Sequence, residues 1–472
     1  MNLDDPHLHR RRWWTLAVLC LGVLMIVLDT TIVNVALPSI RTQLGFDDAS
    51  LSWVVNAYML TFGGSLLLGG RLGDLYGHRR LFIAGLLGFS LASLACGLAT
   101  TQAMLVAARA VQGIAGAVVS AISLSLIMGL FTSDADRAKA MGVYGFVCSA
   151  GGSIGVLLGG LLTGLFNWHW IFLVNVPIGA VVAVLCQRML PGGARSTRAQ
   201  RLDVPGALLI TTSLMLAIFG VVGAGAAGWL ATRTLVLLGV ALGLFAGFVA
   251  HERRTPTPLV PLALFRIRNL GVSNAVGMLW AAAMFAWFFI SALYMQAVLG
   301  WSPMQVGLAF LPSNLIMGAL SLGVSARIVA RFGWRLPLAG GLGLAALGLA
   351  LFARAPLAGH FLVDVFPGMV LLGLGCGAAL NPVLLAATTD APLEDAGLAS
   401  GLVNTSFMMG GALGLAVLAS LAAAQTRFAS AGGLTAPEAL LAGHRLAFAV
   451  GAVFAALAAT LGGTLVRERA RT

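Results

Sequence analysis

Long apolar segments alternate with short polar ones along nearly the whole chain. Fourteen of these segments approach or exceed the roughly 20 apolar residues that a membrane-spanning helix needs. The predicted spans, numbered 1 to 14, are 13–37, 51–70, 81–100, 104–130, 141–164, 168–190, 204–223, 233–250, 271–296, 304–325, 336–353, 361–388, 399–424 and 446–466. The pattern therefore predicts an all-α membrane protein with fourteen transmembrane helices.

Positive charge is distributed unequally between the two sides of this topology. With the N-terminus inside, 22 Lys and Arg residues fall on the inner side and 5 on the outer side, and Arg109 lies within a span. Basic residues concentrate in cytoplasmic loops, so we predict a multi-pass protein of the cell (inner) membrane with both termini in the cytoplasm. The net charge of +12 suits the anionic inner leaflet. No basic stripe or nucleic-acid motif is present, so no nucleic-acid partner is expected.

Composition excludes a soluble globular enzyme. The chain is 59% hydrophobic and 9% charged, whereas soluble domains have about 25% charged residues. All five cysteines fall inside apolar segments without CxxC spacing. We therefore expect neither disulfides nor a metal site, and no cofactor.

An internal repeat relates the two ends of the chain. A shift of 256 residues aligns two short polar segments, and a second match relates spans 5 and 13. Eight spans separate the copies, so the halves keep the same orientation. The predicted parts are a tail 1–12, a six-helix half 13–190, a linker 191–203, two inserted helices 204–250, a linker 251–270, a second six-helix half 271–466 and a tail 467–472. Two parallel halves with a site between them are typical of transporters. The matched pairs are Arg71 with Arg327, Gly77 with Gly333, Arg79 with Arg335, Gly85 with Gly341, Gly145 with Gly401, and Gly155 with Gly411.

Two charged residues lie well inside spans. Asp29 is in span 1 and Arg109 is in span 4, and a charge in hydrocarbon is costly enough to suggest a function. Both are about 10 Å below the outer ends of their spans, so we expect them to meet. One interpretation makes Asp29 a proton carrier regulated by Arg109, and the other makes the pair a static ion pair. The histidines are assigned to tails, loops or span edges, so no histidine relay is predicted.

Polar and aromatic residues within the spans are candidates for a substrate cavity. Interfacial anchoring explains many Trp and Tyr residues, but several candidates lie nearer the middle of a span. The predicted cavity residues are Asn34, Trp53, Asn56, Tyr58, Gln112, Trp287, Tyr294, Gln296, Asn314, Asn381 and Asn404.

Span 5 carries a stripe of small residues at helical spacing. Small residues let membrane helices approach closely. The stripe is interpreted either as ordinary helix packing or as a sliding surface between the halves. Its glycines are Gly145, Gly152, Gly155 and Gly159.

Several motifs together resemble the major facilitator superfamily, and specifically its drug:proton antiporter branch with fourteen transmembrane helices, the multidrug resistance type. GGRLGDLYGHRR resembles the signature between spans 2 and 3, LDTTIVNVALP the span 1 motif, and LVAARAVQGIAGA the span 4 motif. WHWIFLVNVPIG, YMQAVLGWSPMQVGLAFLP and GLASGLVNTS are also similar to segments of this branch. These motifs occupy 69–80, 28–38, 105–117, 168–179, 294–312 and 397–406.

The resemblance implies a non-enzymatic, proton-coupled exporter of hydrophobic or amphipathic small molecules such as drugs and antibiotics. It implies proton coupling by Asp29 and Arg109, with Asp74 of the gate facing the N-terminus of span 13. Its partners would be a lipophilic substrate, protons and membrane lipid, its energy source the proton gradient, and its working form a monomer. The implied cytoplasmic gate residues are Gly70, Arg71, Asp74, Gly77, Arg79 and Arg80.

Two segments depart from this family pattern. In span 5 the family has a proline after a glycine where this chain has Gly155 and Val156. In span 13 apolar residues at 407–409 replace an Arg-Gln-Leu sequence, which indicates a more apolar pocket or a membrane-facing surface. The departures favour an alternative, a translocator of lipids or lipophilic metabolites with weak or no proton coupling. A membrane-embedded enzyme would need a His or Asp cluster that the sequence lacks, and a receptor or scaffold would need a sizeable soluble module.

Overall fold

Helices make up almost all of the chain that the computed structural model describes, namely residues 6–47, 50–131, 134–190, 203–256, 258–260, 262–320, 324–389 and 396–467. The helices up to the second predicted linker are α1 (Pro6–Leu44), α2 (Trp53–Tyr76), α3 (His78–Gly97), α4 (Gln102–Leu130), α5 (Asp134–Leu165), α6 (Trp170–Leu173), α7 (Asn175–Met189), α8 (Val204–Ala227) and α9 (Thr232–Arg254). The helices after it are α10 (Arg268–Leu293), α11 (Pro303–Ala309), α12 (Leu311–Ala319), α13 (Ser325–Phe332), α14 (Arg335–Phe352), α15 (Phe366–Thr389), α16 (Ala396–Ala431) and α17 (Ala436–Leu465).

Many of these helices are long enough to cross a bilayer. Among the described residues, eleven helical segments have the length and apolar character of membrane spans. Predicted spans 2, 5 and 10 are not among the eleven. Span 2 corresponds to α2, span 5 to α5, and span 10 to the three shorter helices α11, α12 and α13. The prediction of an all-α, multi-pass membrane protein is confirmed, whereas the number fourteen stays a prediction.

The polar segment between spans 2 and 3 is mostly helical rather than a loop. α2 continues to Tyr76 and α3 begins at His78, so Gly77 alone separates them. A helix forms its own backbone hydrogen bonds and can therefore continue outside the membrane. The polar residues after predicted span 2 extend α2 by about two turns. Likewise, α1 begins within the predicted N-terminal tail, and α16 extends beyond span 13 at both ends.

Glycines occupy equivalent places in the two copies of the repeat. Gly77 ends α2 with φ +90°, and Gly333 ends α13 with φ +75°. A left-handed backbone at a helix C-terminus favours glycine. Gly85 brings α3 against α4, where an added Cβ would lie 2.9 Å from a methyl group of Val119, and Gly341 brings α14 against α15. The 256-residue shift therefore aligns positions with the same structural requirement.

Arginines also make equivalent contacts in the two copies. Arg79, at the start of α3, donates a hydrogen bond to the backbone carbonyl of Gln187 near the end of α7. Arg335, at the start of α14, donates through Nε to the carbonyl of Gly463 near the end of α17, at 3.1 Å. The last carbonyls of a helix lack intrahelical donors, so each arginine satisfies one of them. We refer to this end of the bundle, predicted to face the cytoplasm, as the inner end.

The inserted helices attach to both halves. α8 meets α2 where Gly64 leaves room for the hydroxyl of Thr211. On another side α8 meets α16, where Ser420 Oγ donates to the carbonyl of Val221 at 3.1 Å. α9 packs mainly on α8, and most of its other residues are partly or fully exposed. α8 therefore bridges one helix from each half.

Part of the glycine stripe of α5 packs against α1. A Cβ on Gly155 would lie 2.9 Å from the carbonyl oxygen of Leu28 and would collide with the Thr31 hydroxyl. A Cβ on Gly159 would lie 2.6 Å from the carbonyl oxygen of Ile32. These two glycines let α5 and α1 approach closely on either side of Asp29.

The remaining stripe positions behave differently. A Cβ on Gly152 would meet nothing within 4 Å, and its predicted packing role stays a prediction. Gly151, one position earlier, is the residue in register with Gly155, and its added Cβ would lie 2.9 Å from Val27. The packing of Gly145 lies outside the described residues. Gly160 contributes to the contact between α5 and the second half, because a Cβ there would lie 2.7 Å from the carbonyl of Pro303.

Candidate functional site

Asp29 and Arg109 form a buried ion pair in the first half. Asp29 Oδ2 of α1 accepts a hydrogen bond from Arg109 Nη1 of α4, and the two side chains are 0% and 1% exposed. The helices bring together the two charged residues that sequence analysis singled out. Their role in proton coupling stays a prediction.

Two amides complete the surroundings of the Asp29 carboxylate. Gln112 Nε2 donates to Oδ1 at 2.7 Å, and Asn175 Nδ2 of α7 donates to the same oxygen at 3.0 Å. Both oxygens therefore accept from donors, which is the arrangement that an ionised carboxylate requires. Helices α1, α4 and α7 together hold the charge within the protein rather than against lipid.

The Arg109 guanidinium also binds α2. Its Nε donates to the carbonyl of Val54 at 2.9 Å, and its central carbon lies 4.4 Å from the centroid of the Tyr58 ring. A cation over an aromatic face is attracted by the ring quadrupole. α2 and α4 approach closely here because Gly113 has no side chain, and an added Cβ would lie 3.1 Å from the Phe62 nitrogen.

Gln112 links the ion pair to α3. Its Oε1 accepts from Arg109 Nη1 at 2.7 Å, while Nε2 donates to Ser93 Oγ at 2.8 Å as well as to Asp29. Cys96 Sγ lies 3.6 Å from the same Oε1. Gln112 was predicted as a cavity residue, and the structure places it in the charged network. Protonating Asp29 would therefore disturb contacts to α3, α4 and α7 together.

The other cavity candidates of the first half lie away from this network, apart from Tyr58. Asn34 donates to carbonyls of its own helix α1 at 3.3 and 3.4 Å. Asn56 is fully buried and its Nδ2 lies 3.4 Å from Ser52 Oγ. Trp53 packs against Phe219 of α8, with ring centroids 6.3 Å apart. Trp53 thus contacts the inserted pair.

The described contacts of the candidates in the second half lie at separate places. Trp287 is buried against Phe288 and Phe310, and Tyr294 donates to the Pro356 carbonyl at 2.8 Å. Asn314 is buried, whereas Asn381 and Asn404 are half-buried. Trp287 and Tyr294 thus contact other residues of the second half, and a shared substrate cavity stays a prediction.

Gln296 joins the two halves at the outer end. Its Nε2 donates to the carbonyl of Val35 in α1 at 2.8 Å. It also lines a cleft of about 680 Å³ between the end of α1 and the segment after α10. Other residues that line this cleft are Pro38, Arg41, Gln43, Trp301 and Pro303.

An apolar cavity of about 350 Å³ lies between the inserted pair and both halves. Helices α2, α8, α9, α10 and α16 all contribute to its wall, and none of the predicted cavity residues does. Met409, which stands where the family sequence has Leu, lines the cavity. Further lining residues are Leu214, Phe248, Leu259, Val260, Asn274 and Thr405.

The predicted gate is described in part. Gly77 ends α2, Arg79 binds the end of α7, and Arg80 is exposed. A Cβ on Gly70 would meet nothing within 4 Å. The side chains of Arg71 and Asp74 lie outside the described residues. The approach of Asp74 to the N-terminus of span 13 therefore stays a prediction.

Sequence reasoning missed several buried polar residues. Asn175 lies in a motif that was noted without a role for the residue, and Ser93 carried no signal beyond being polar in an apolar span. His444, which the sequence placed at the edge of span 14, lies within α17 and is 4% exposed. One histidine is therefore inside the bundle.

A titratable cluster at the inner end of the inserted pair was also missed. Asp203 precedes α8, and its Oδ1 lies 2.7 Å from His251 Nε2 in the last turn of α9. Burial alone raises the pKa of the Asp203 carboxyl. Hydrogen bonds from His251 and from the Gly206 N–H outweigh burial and hold that pKa below its ordinary value. The predicted linkers thus contain a buried carboxylate.

Comparison with known proteins adds relatives of recorded activity. The chain is 39% identical over 467 residues to the puromycin resistance protein pur8 of Streptomyces alboniger, covering 97% of this chain and 92% of the relative. It is 39% identical over 414 residues to the cephamycin export protein CmcT of Amycolatopsis lactamdurans, covering 87% and 85%. It is also 39% identical over 422 residues to a lincomycin resistance protein of Streptomyces lincolnensis, covering 89% and 86%.

Solved transporters share the fold at low sequence identity. An auto-inhibited POT family peptide transporter superposes with a TM-score of 0.69 at 14% identity, with 98% of each chain covered. A bacterial homolog of the human lysosomal transporter Spinster, inward-facing and unoccupied, gives 0.67 at 17% identity, also with 98% of each chain covered. A family model described as Major Facilitator Superfamily matches residues 19–415. The chain belongs to the Major Facilitator Superfamily.

Proposed function

We propose that this protein exports lipophilic small molecules, antibiotics among them, by alternating access, and that proton uptake at Asp29 drives the export. The names of relatives that confer resistance to puromycin and lincomycin support the substrate class. The buried Asp29–Arg109 pair supports the coupling. Placing charged side chains inside a membrane protein costs free energy, so such residues usually have a function. The working unit is a monomer that uses the proton gradient and no cofactor, with both termini in the cytoplasm.

The packing around Asp29 suggests how a proton changes the conformation. A proton on Asp29 would remove the charge that Arg109 and the two amides bind, so Arg109 would lose its ionic partner. Leu28 beside Asp29 contacts α5 at Gly155, and α5 contacts the second half at Gly160. A shift of α1 is therefore transmitted across the interface between the halves.

Protons and substrates have separate approaches in this scheme. The outer cleft reaches Pro38, which is about 13 Å along α1 from Asp29. Protons enter from that side, while substrate enters from the inner side or the inner leaflet. Arg79 and Arg80 with Asp74 belong to the inner gate that closes when the outer side opens.

The proposal is tested in proteoliposomes with an imposed pH gradient. Puromycin and lincomycin are offered as substrates, and proton movement is followed with a pH-sensitive dye. Asp29→Asn is expected to abolish gradient-driven transport, because the amide cannot exchange a proton. Asp47→Asn, at an exposed carboxylate in the outer loop, serves as the matched control and should transport normally. Undiminished pH-driven transport by Asp29→Asn would remove the coupling role.

The apolar cavity favours a second candidate function. Its size lies within the range of small-molecule sites, and the apolar residue Met409 lines it. A translocator of lipids or lipophilic metabolites with weak or no proton coupling fits these features. Fluorescent phospholipid movement that persists without a pH gradient and in Asp29→Asn would favour this function over drug export.

A further inference from the structure

Three titratable side chains meet at the inner end of the inserted pair, and the proposed transport mechanism uses none of them. Asp203 lies just before α8, and His251 and Glu252 lie in the last turn of α9. Asp203 and Glu252 are 3% and 4% exposed. Burying two charged carboxylates costs free energy unless cations, hydrogen-bond donors or protons offset their charge.

The two carboxyl groups face each other across Gly206. A Cβ added to Gly206 would lie 2.5 Å from Asp203 Oδ2 and 2.7 Å from Glu252 Oε1. The two carboxyl groups therefore lie close together on either side of one small residue. No N–H or hydroxyl donor among the described residues reaches Glu252 Oε1. Two carboxyl groups this close and this buried repel each other when both are ionised, and a proton on one of them removes the repulsion.

The surrounding donors divide unequally between the two carboxyls. Asp203 accepts from the Gly206 N–H at 2.9 Å and the Leu259 N–H at 3.2 Å, and His251 contacts it at 2.7 Å. Glu252 accepts from the Val260 N–H at 3.0 Å. Hydrogen bonds to a carboxylate favour its ionised form. The negative charge therefore belongs on Asp203 and the proton on Glu252.

We propose that Asp203 and Glu252 form a second proton-binding site, which holds one shared proton at neutral pH. The proton is carried by Glu252 Oε1 and donated to Asp203 Oδ2. On release it passes to water at the inner end, leaving two buried anions side by side. The His251 imidazole also faces this pair, with Nε2 2.7 Å from Asp203 Oδ1. The site stands apart from Asp29 and does not rest on the transport function.

Proton release at this site has a structural consequence. The N–H groups of Leu259 and Val260 are the groups that the two carboxyls bind, and both residues also line the apolar cavity. Repulsion between the two anions would weaken the hydrogen bonds that hold Leu259 and Val260 in place. The site thus couples the proton concentration at the inner end to the wall of the cavity.

Infrared difference spectroscopy on the full-length protein tests the shared proton. We expect a protonated-carboxyl band at pH 6 to 7 in the wild type that is absent from Glu252→Gln. Asp203→Asn should shift the titration of that band to lower pH by about one unit or more, because the neighbouring negative charge is removed. Absence of a Glu252-dependent band at pH 6 would overturn the proposal.

Hydrogen exchange provides a second test that does not depend on transport. The protection factors of the Leu259 and Val260 amides should fall about tenfold between pH 6 and pH 9 in the wild type. They should stay constant in Glu252→Gln, which keeps the acceptor for Val260 and cannot ionise. Thermal unfolding of both variants identifies any loss of fold. Equal pH dependence in the wild type and a folded Glu252→Gln variant contradicts a titrating pair.

Discussion

Gln112 donates to Asp29 at 2.7 Å from the helical turn after Arg109, and it accepts from Arg109 at the same distance. The amide thus spans the ion pair, with each end matched to the charge that it contacts. Because α4 carries both Gln112 and Arg109, a proton that binds to Asp29 acts on one helix through two side chains.

Replacing Gln112 tests this dual contact. In Gln112→Leu the Asp29–Arg109 pair remains, but the ionised carboxylate loses one donor. We expect the pH midpoint of transport to rise by about one to two units, since a hydrogen bond to a charged group contributes roughly 1.5–3 kcal/mol. Proton-driven puromycin transport measured from pH 5 to 9 provides the profile. Ser93→Ala, which leaves Asp29 untouched, should shift it by less, and an unchanged midpoint in Gln112→Leu would contradict this role.

Two glycines of α5 form a matched pair for testing the contact with α1. Gly155→Ala places a methyl group against Leu28 and Thr31. We expect it to lower unfolding stability by about 1–3 kcal/mol and to reduce transport. Gly152→Ala adds the same methyl group where nothing lies within 4 Å, so it should be neutral or slightly stabilising. Thermal unfolding and transport rate are measured for both, and equal effects would mean that the α1–α5 contact is unimportant.

The approach of α2 to α4 has a similar test. Gly113→Ala would push α2 away from Arg109, because its added Cβ reaches the α2 backbone near Phe62. We expect loss of transport together with a lower unfolding temperature. Gly129→Ala, in the same helix with nothing within 4 Å, is the control. Wild-type transport by Gly113→Ala would show that the Tyr58 ring need not stay on the guanidinium.

The repeated arginines should contribute to stability in the same way. Arg79→Gln and Arg335→Gln each remove a cation from the carbonyl end of a helix. A cation at such an exposed site stabilises the folded protein by about 0.3–1 kcal/mol, so each substitution should lower stability by about that amount. Lysine should restore part of the loss in each case, because it keeps the charge. Arg80→Gln, at an exposed neighbouring position, is the control in thermal unfolding. Different responses of Arg79 and Arg335 would argue against equivalent roles in the two halves.

The sequence predicted those features that depend on a charge or on a repeat. Asp29 and Arg109 were conspicuous because charged residues are rare in apolar spans, and helix lengths alone placed them at similar depth. The 256-residue shift paired Gly77 with Gly333, and both end a helix with a positive φ, which restricts the residue type. Both signals are local or periodic, so they survive without knowledge of the packing.

Features that depend on which helix faces which were not predictable. Asn175 and Ser93 are small uncharged residues, and many such residues lie in spans without a shared role. Asp203 and Glu252 are 49 positions apart in two predicted linkers. Their side chains are buried because the folded chain brings the two linkers together. Gly152 was included because spacing by three and four leaves one helix face poorly defined until its neighbour is known.

The attachment of α8 to α2 and to α16 limits the motion of the whole protein. In the proposed alternating access, rocking of the halves would change the separation of these two helices, so α8 would not keep both the Thr211 contact and the Ser420 hydrogen bond throughout a cycle. One of the two contacts would then break, and the apolar cavity beside them would change volume. A molecule bound in the cavity would favour the conformation that it binds more tightly. The ratio of its two affinities would set the relative populations of the two conformations.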